Sequence, residues 1–322
     1  MFSQVLKTLV RTSLVKMGFE IRRSMNPVVF DLSRNEVKHP VEAIYKANGN
    51  PCYVKVPLSR IVSFEYAAFP LSIEAGHPFL VTLKEYESNP KLTAENSLLG
   101  KYYQLFQPAN ASDVMGLASP SCRDLKVLPA WASPPLWSLK TPEEYLDYIK
   151  ILFQKEDVSQ GVSIGKFMGG STFGPVEPRK LRLEYARLIG VYESIKKSGY
   201  RFDASECVTG TVWVDDGRWV VSVSSGQHRI ASLAALGYEH VIVELQSHKA
   251  LGGVMCKSCC EYFPTVINGI HNVKEAQKIF DRIIRGKPPE AASNWIDYCN
   301  TIFPDGKSKT RPHRTLKSVR SV

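Results

Sequence analysis

Apolar and polar residues alternate from Tyr53 to Ser63 (YVKVPLSRIVS), with Val54, Val56, Leu58 and Ile61 in the apolar phase, so this segment predicts a strand running into a turn. The period changes downstream. Leu80, Leu83 and Tyr86 suggest one helix, and Leu98, Leu99, Tyr102, Tyr103 and Phe106 another. Pro129, Pro134, Pro135 and Pro142 punctuate a loop holding Trp131 and Trp137. Thr141–Pro142–Glu143–Glu144 reads as a helix start, with a cap, a proline and two acids, and the helix is expected to reach about Gln154. The Gly-rich run 163–175 (SIGKFMGGSTFGP) is expected to be ordered only by its surroundings or by a ligand. From Pro178, Leu181, Tyr185, Leu188, Tyr192 and Ile195 form a helical stripe that Gly199 ends.

Two β-rich runs, Val208–Val214 and Arg218–Val223, flank Asp215–Asp216–Gly217, the strongest hairpin signal in the chain. Ser224–Ser225–Gly226 then opens a helix over Gln227–Leu236, closed by Gly237, and Val241–Leu245 forms a last strand. No internal repeat or long low-complexity tract is found. The mixture of periods predicts an α+β fold.

Phe2, Val5, Leu6, Leu9, Val10, Leu14 and Met17 also share one helical face, with Lys7, Thr8, Arg11 and Thr12 opposite and Gly18 as a stop. This basic amphipathic pattern lacks the uninterrupted apolar stretch and small-residue cleavage site of a secretory signal. It fits a helix docked on its own domain, an in-plane anchor on anionic lipid, or a partner-binding or targeting helix. Charge sharpens the picture. The chain carries a formal +10, but residues 1–25 hold five cations against Glu20 alone, and residues 307–322 hold six cations and no acid. The ends therefore contribute +4 and +6, and the body from Asn26 to Gly306 is neutral. A globular domain with a whole face built for nucleic acid is thereby excluded. The tail GKSKTRPHRTLKSV reads as a flexible basic end that serves solubility or tethers to phosphate, of lipid or of nucleic acid.

Hydrophobic residues make up 44% and mean hydropathy is −0.15, an ordinary soluble balance with no uncharged run that could span a bilayer. Seven cysteines without a signal peptide argue against a disulfide framework and for a cytoplasmic setting. Cys256, Cys259 and Cys260 lack a second ligand pair, so they read as a turn with incidental thiols, and no metal ligands are assigned.

The chemistry concentrates in SSGQHRIASLAALGYEHVIVEL. A glycine stands at a strand-to-helix turn, with His228 and Arg229 in the first helical turn. The first N–H groups of a helix lack intrahelical partners and the dipole is positive there, so this turn is an anion cradle, with Gly226 allowing close approach. Arg229 offers a bidentate contact, Ser224 or Ser225 a cap or a hydroxyl, and His228 a donor or a proton acceptor. The plainer alternative is two cations decorating a helix start, where they are slightly unfavourable.

Residues 186–245, with ESIKKSGY, the hairpin, GQHRIASLAALGY and VIVEL, resemble the N-terminal domain of the ParB/sulfiredoxin superfamily. VKVPLSRIVSF at 54–64 is similar to its opening strand, separated here by an unusually long insertion, about 65–175. The matched pieces cover under a quarter of the chain. The resemblance implies a small mixed sheet with packed helices, enlarged by the insertion, and a box that binds nucleotide phosphates at Gly226, His228 and Arg229, with Ala231 letting the helix pack on the sheet. Sulfiredoxins carry a catalytic Cys where this chain has Gln227, which removes redox repair. Partition proteins bind CTP and add a helix-turn-helix, whose helix pair is not evident after Leu245. GQHR is closest in style to a branch of small-molecule kinases similar to the archaeal free-serine kinase. The run LVKMGFEIRR resembles leaders of enzymes from bacterial surface-polysaccharide gene clusters, and FGPVEPRKLRLEYARLIGVYESIKKSGY looks like uncharacterised ParB-like proteins encoded there.

The resulting expectation is a leader at 1–25, a ParB-like domain at 26–306 and a tail at 307–322. The protein would use a nucleoside tri- or diphosphate (ATP, ADP or CTP) with Mg²⁺ to phosphorylate a small molecule or sugar intermediate. It would be cytoplasmic or peripheral on the inner membrane, held to an anionic surface by both termini. Ser224, Ser225, Gly226, Gln227, His228 and Arg229 would hold the phosphates, with His228, Glu65, Glu74 or Glu206 as catalytic candidates. The competing class is a nucleotide-switched DNA-binding protein using its basic tails, with a nuclease as a variant.

Overall fold

The computed structural model describes residues 29–34, 37–159, 170–245 and 253–304. The basic ends, 1–25 and 307–322, and the part of the Gly-rich run before Gly170 lie outside the described residues. The architecture is mixed α and β around a curled mixed sheet. In chain order the strands are β1 (Phe30–Asp31), β2 (Cys52–Pro57), β3 (Ile61–Ser63), β4 (Phe69–Pro70), β5 (Val208–Asp215), β6 (Arg218–Ser225), β7 (His240–Leu245) and β8 (Val254–Cys256). The sheet runs β1-β2-β7-β5-β6-β3-β4, with β8 beside the second half of β5.

The expected hairpin forms, β5 against β6, with Asp215 opposite Arg218. The expected last strand lies between β2 and β5, antiparallel to the first and parallel to the second. The segment 53–63 departs from its simple expectation. It is two strands, joined by a 3-10 turn at Leu58–Arg60, and three other strands stand between them in the sheet. From Pro57 to Ile61 the chain reaches at most about 14 Å. Four strand spacings in a flat sheet are about 19 Å, so the sheet must curl to bring β2 and β3 together at this end.

The helices are α1 (Pro40–Lys46), α2 (Pro78–Ser88), α3 (Leu98–Leu105), α4 (Ala111–Met115), α5 (Pro142–Ser159), α6 (Pro178–Ser198), α7 (Gln227–Ala235), α8 (Pro264–Ile267), α9 (Val273–Ile284) and α10 (Ser293–Ile302). Local chemistry sets their starts. Ser97 and Asn110 cap α3 and α4, and Asn272 with Glu275 forms a reciprocal capping box on α9. Helix α5 is described to Ser159, beyond the expected Gln154, and in this last turn Asp157 forms a buried ion pair with Lys180 of α6.

The segment between β4 and α6 is no detached appendage. Phe79, Tyr102 and Phe106 from it stack edge-on with Phe64 of the β3–β4 connection and Phe69 of β4, and Trp295 of α10 closes the group against Tyr102. Residues from Ala43 to Cys299 share one hydrophobic cluster. Ala231 is fully buried, so α7 approaches its neighbours closely. Cys256, Cys259 and Cys260 sit at the end of β8 and in the following 3-10 turn, all as free thiols. Among the described residues no helix is long and apolar enough to cross a membrane.

Candidate functional site

Strand β6 delivers the chain into a tight turn and then into α7. Gly226 is the N-cap, at φ 91° and ψ 21°. Any Cβ there would lie 2.8 Å from the Val208 Cγ2 atom, so both the conformation and the approach of β5 demand glycine. The helix carries no side-chain cap, contrary to the role expected of the serines. Ser224 is turned away instead, its Oγ 2.9 Å from the Thr209 hydroxyl. The leading N–H groups of α7 thus keep their unpaired character. Gln227 anchors its Nε2 on the Val223 carbonyl at 2.7 Å, while its Oε1 is buried with no partner.

His228 is held from two elements. Its ring stacks on Phe79 of α2, with centroids 4.8 Å apart and planes at 15°. Its Nε2 lies 3.0 Å from Glu184 Oε2 on α6, and Arg187 approaches Glu184 Oε1 at 3.0 Å. Burial alone would raise the Glu184 pKa, but the contact with His228, helped by Arg187 and Lys180, holds the carboxylate below its usual range.

Gly226, Gln227 and His228 border a cavity of about 240 Å³ with Ser224 and Ser225. Its other walls are Phe64, Glu65 and Tyr66 from the β3–β4 connection, Trp131 and Ser133 from the Pro-rich loop, Tyr145, Ile149, Phe153 and Glu156 from α5, and Ser171–Phe173. The last group belongs to the Gly-rich run, and its surroundings do order residues 170–175. Tyr102 and Tyr103 donate their hydroxyls to the Thr172 and Ser171 carbonyls at 2.6 and 2.7 Å, and the Gly174 N–H reaches the Phe106 carbonyl.

Glu65 is the carboxylate that the fold singles out. Its side chain is exposed by surface area yet densely surrounded by protein, because the surface it presents is cavity wall. Desolvation raises its pKa above the ordinary carboxylate value. The connection holding it is strained. Phe64, Glu65 and Ala68 have φ of 59°, 44° and 51°, a left-handed region that costs non-glycine residues about 1–3 kcal/mol each. Tyr66 secures the loop by donating its hydroxyl to the Pro134 carbonyl at 2.9 Å.

The other candidates stand elsewhere. Glu74 is exposed and Glu206 is 71% exposed, and neither borders the cavity. Arg229 also lies outside the wall, its guanidinium committed to Glu206 Oε2 at 2.7 Å. Sequence reasoning missed Glu184, Arg187 and Lys180. A partial signal was present: they follow helical spacing along α6 on a face flanking the apolar stripe Leu181–Leu188–Tyr192, and Lys180 and Glu184 are buried there.

An anion cradle, a histidine with a fixed ring and an enclosed carboxylate thus share one small cavity. The residues fit a phosphate group through the orphan N–H groups at the start of α7. They also fit Mg²⁺, which is typically bound by one or two carboxylates plus phosphate oxygens and water, since Glu65 and Glu156 border the same space. Among the described residues no cluster of three His, Cys, Asp or Glu forms a metal site by itself. No family model, curated protein or solved structure matches the chain.

Proposed function

We propose that this protein is a nucleotide-dependent phosphotransferase acting on a small molecule, with the turn at Gly226–His228 as its phosphate site and Glu65 as its general base. The observation that carries this reading is the presence, in one cavity, of a helix N-terminus opened by a conformationally obligatory glycine and a carboxylate of raised proton affinity. Phosphoryl transfer asks the protein mainly for positioning and charge stabilisation, and a nucleotide with Mg²⁺ would supply the phosphoryl group. The α7 N–H groups and His228 would bind phosphate oxygens. Glu65 would accept the proton of the acceptor hydroxyl, a role to which desolvation suits it. The ParB-like sequence phrase agrees with such a site, and a sugar intermediate of surface-polysaccharide metabolism is the acceptor class it suggests.

Size constrains the arrangement. At about 240 Å³ the cavity is smaller than the roughly 300–1,000 Å³ usual for ligand sites. It suits a small acceptor and the terminal phosphate, with the rest of a nucleotide reaching outside. The aromatic walls Trp131, Tyr145 and Phe153 give the acceptor end an apolar face.

Thermal unfolding with ATP, ADP, CTP and GTP plus Mg²⁺ tests the reading. A ligand at about one hundred times its Kd stabilises by about 2.7 kcal/mol, a rise of several degrees for a chain of this size. Glu65→Gln should keep that rise while lowering turnover about 10²- to 10⁴-fold, and His228→Ala should reduce the rise itself. No shift and no hydrolysis with any of the four nucleotides would overturn it.

A further inference from the structure

Five of the twelve exposed large hydrophobic residues among the described ones lie on α5 or just before it (Leu139, Tyr148, Ile151, Leu152 and Val158), and Ile267 ends the neighbouring α8. The face is physically continuous. The Asn268 side chain reaches the Leu139 carbonyl at 3.5 Å, and Lys140 Nζ sits 5.1 Å from the Tyr148 ring centre, joining the α8 region to α5. Along α5, positions 144, 147, 148, 151, 152, 155 and 158 are all exposed and follow helical spacing. Monomeric surfaces rarely gather apolar residues this way unless something covers them.

Charge indicates what covers it. The exposed stripe has acids at its N-terminal end, Glu144 and Asp147, apolar residues at its centre, Tyr148, Ile151 and Leu152, and Lys155 at its C-terminal end. Two such stripes laid antiparallel about a two-fold axis near Ile151 place each acidic end beside the other copy's Lys155. A stripe complementary to itself under a two-fold rotation is what an isologous contact requires. An anionic membrane fits less well, since the exposed stripe offers it two acids against Lys155 alone, whereas a second copy presents both signs.

We propose that this face is the interface of a homodimer, formed by antiparallel pairing of α5 with its counterpart and extended by Leu139 and Ile267. The opposite side of α5 supplies Tyr145, Ile149, Phe153 and Glu156 to the cavity, so the pairing braces a wall of the candidate site. The inference stands on the surface alone and is independent of the reaction assigned to that site. One helix stripe with its flanks covers less than the roughly 800 Å² per partner of a standard interface, so association depends on concentration.

Sedimentation equilibrium of the full chain over about 1–100 μM, the range matched to an interface of this size, should show the mean mass rising from one chain toward two. Ile151→Lys should hold it at one chain, weakening association at least tenfold with an unchanged circular dichroism spectrum. Asp147→Lys alone should also weaken association, and adding Lys155→Asp should restore it. A wild-type mass of one chain throughout would overturn the proposal, as would a dimer indifferent to Ile151→Lys. So would binding to phosphatidylglycerol vesicles that Ile151→Lys abolishes without any self-association, which would give the face to a membrane.

Discussion

His228 shows how a single side chain is placed by three parts of the fold at once. Its backbone belongs to the first turn of α7, its ring lies flat on Phe79 of α2, and its Nε2 faces Glu184 of α6. A carboxylate at Nε2 favours a proton on that nitrogen, and Nδ1 donates to a phosphate oxygen only when it carries a proton as well. Glu184 is therefore a positioning residue for the proposed phosphate contact. In Glu184→Gln a neutral acceptor remains, whereas Glu184→Leu leaves Nε2 facing an apolar group. Imidazole nitrogen shifts should report a single Nε2–H tautomer in the wild type, near-retention in Glu184→Gln and a mixture in Glu184→Leu. The leucine variant should also be less stable in urea unfolding, because it removes a buried carboxylate that meets both His228 and Arg187. Identical nitrogen shifts in all three proteins would show that the Phe79 stack alone fixes the ring.

Among the helices, α5 has the least ordinary support. Most of its residues are exposed, with Pro142, Tyr145 and Asp157 buried. Its C-terminal end is fastened by Asp157 and Lys180, both 3% exposed and 3.0 Å apart, with Lys180 also 5.7 Å from the Phe153 ring centre. Breaking a buried pair by removing one partner costs about 3–5 kcal/mol, because a charge is left without compensation, while replacing both partners by apolar residues is often neutral. Lys180→Met should therefore destabilise strongly and speed hydrogen exchange along α5, and Asp157→Leu/Lys180→Met should recover most of the loss. A double variant no better than the single one would mean that Lys180 acts through its other contacts. The sequence showed where α5 begins, from Pro142 and the two acids, but not that it continues past Gln154. In that stretch Asp157 is buried against a partner 23 positions away, Lys180. Glu65 was legible only as one acid among three. The left-handed backbone at Phe64, Glu65 and Ala68 leaves no trace in residue type, since none is glycine, and it is this loop that turns Glu65 into the cavity.

For the whole molecule, local signals gave the hairpin, the α7 turn and most helices, whereas the split of residues 53–63 between separate parts of the sheet needed the curl, a property of all the strands together. A second global property follows from two histidines that the fold keeps neutral. His77 is fully buried, its Nδ1 accepting the Leu80 N–H as the cap of α2, and burial pushes its pKa down to about 3. His271, 3.4 Å from the Met115 sulfur, is pushed by burial down to about 4. In the unfolded chain both take up protons near 6.5, so below that pH the unfolded state binds more protons than the folded one. Their contribution is complete above about pH 6.5 and is lost on acidification, by up to about 1.4 kcal/mol per pH unit for each, until the folded pKa is reached. The two imidazoles together should therefore lower stability by about 4 kcal/mol between pH 7.5 and pH 5 on that slope. His39 and His240 shift the same way but lie nearer the surface and add little. Depressed carboxylates such as Glu184 act only at lower pH, where the unfolded carboxyl begins to protonate, whereas Glu65 and Glu85, whose pKa values burial raises, gain stability on acidification and oppose the imidazoles. Urea unfolding at the two pH values measures the difference, and His271→Gln should remove about half of it by this account. Equal stability at pH 5 and 7.5 would mean that both rings are solvated or charged within the fold, and that the cap of α2 does not depend on a neutral His77.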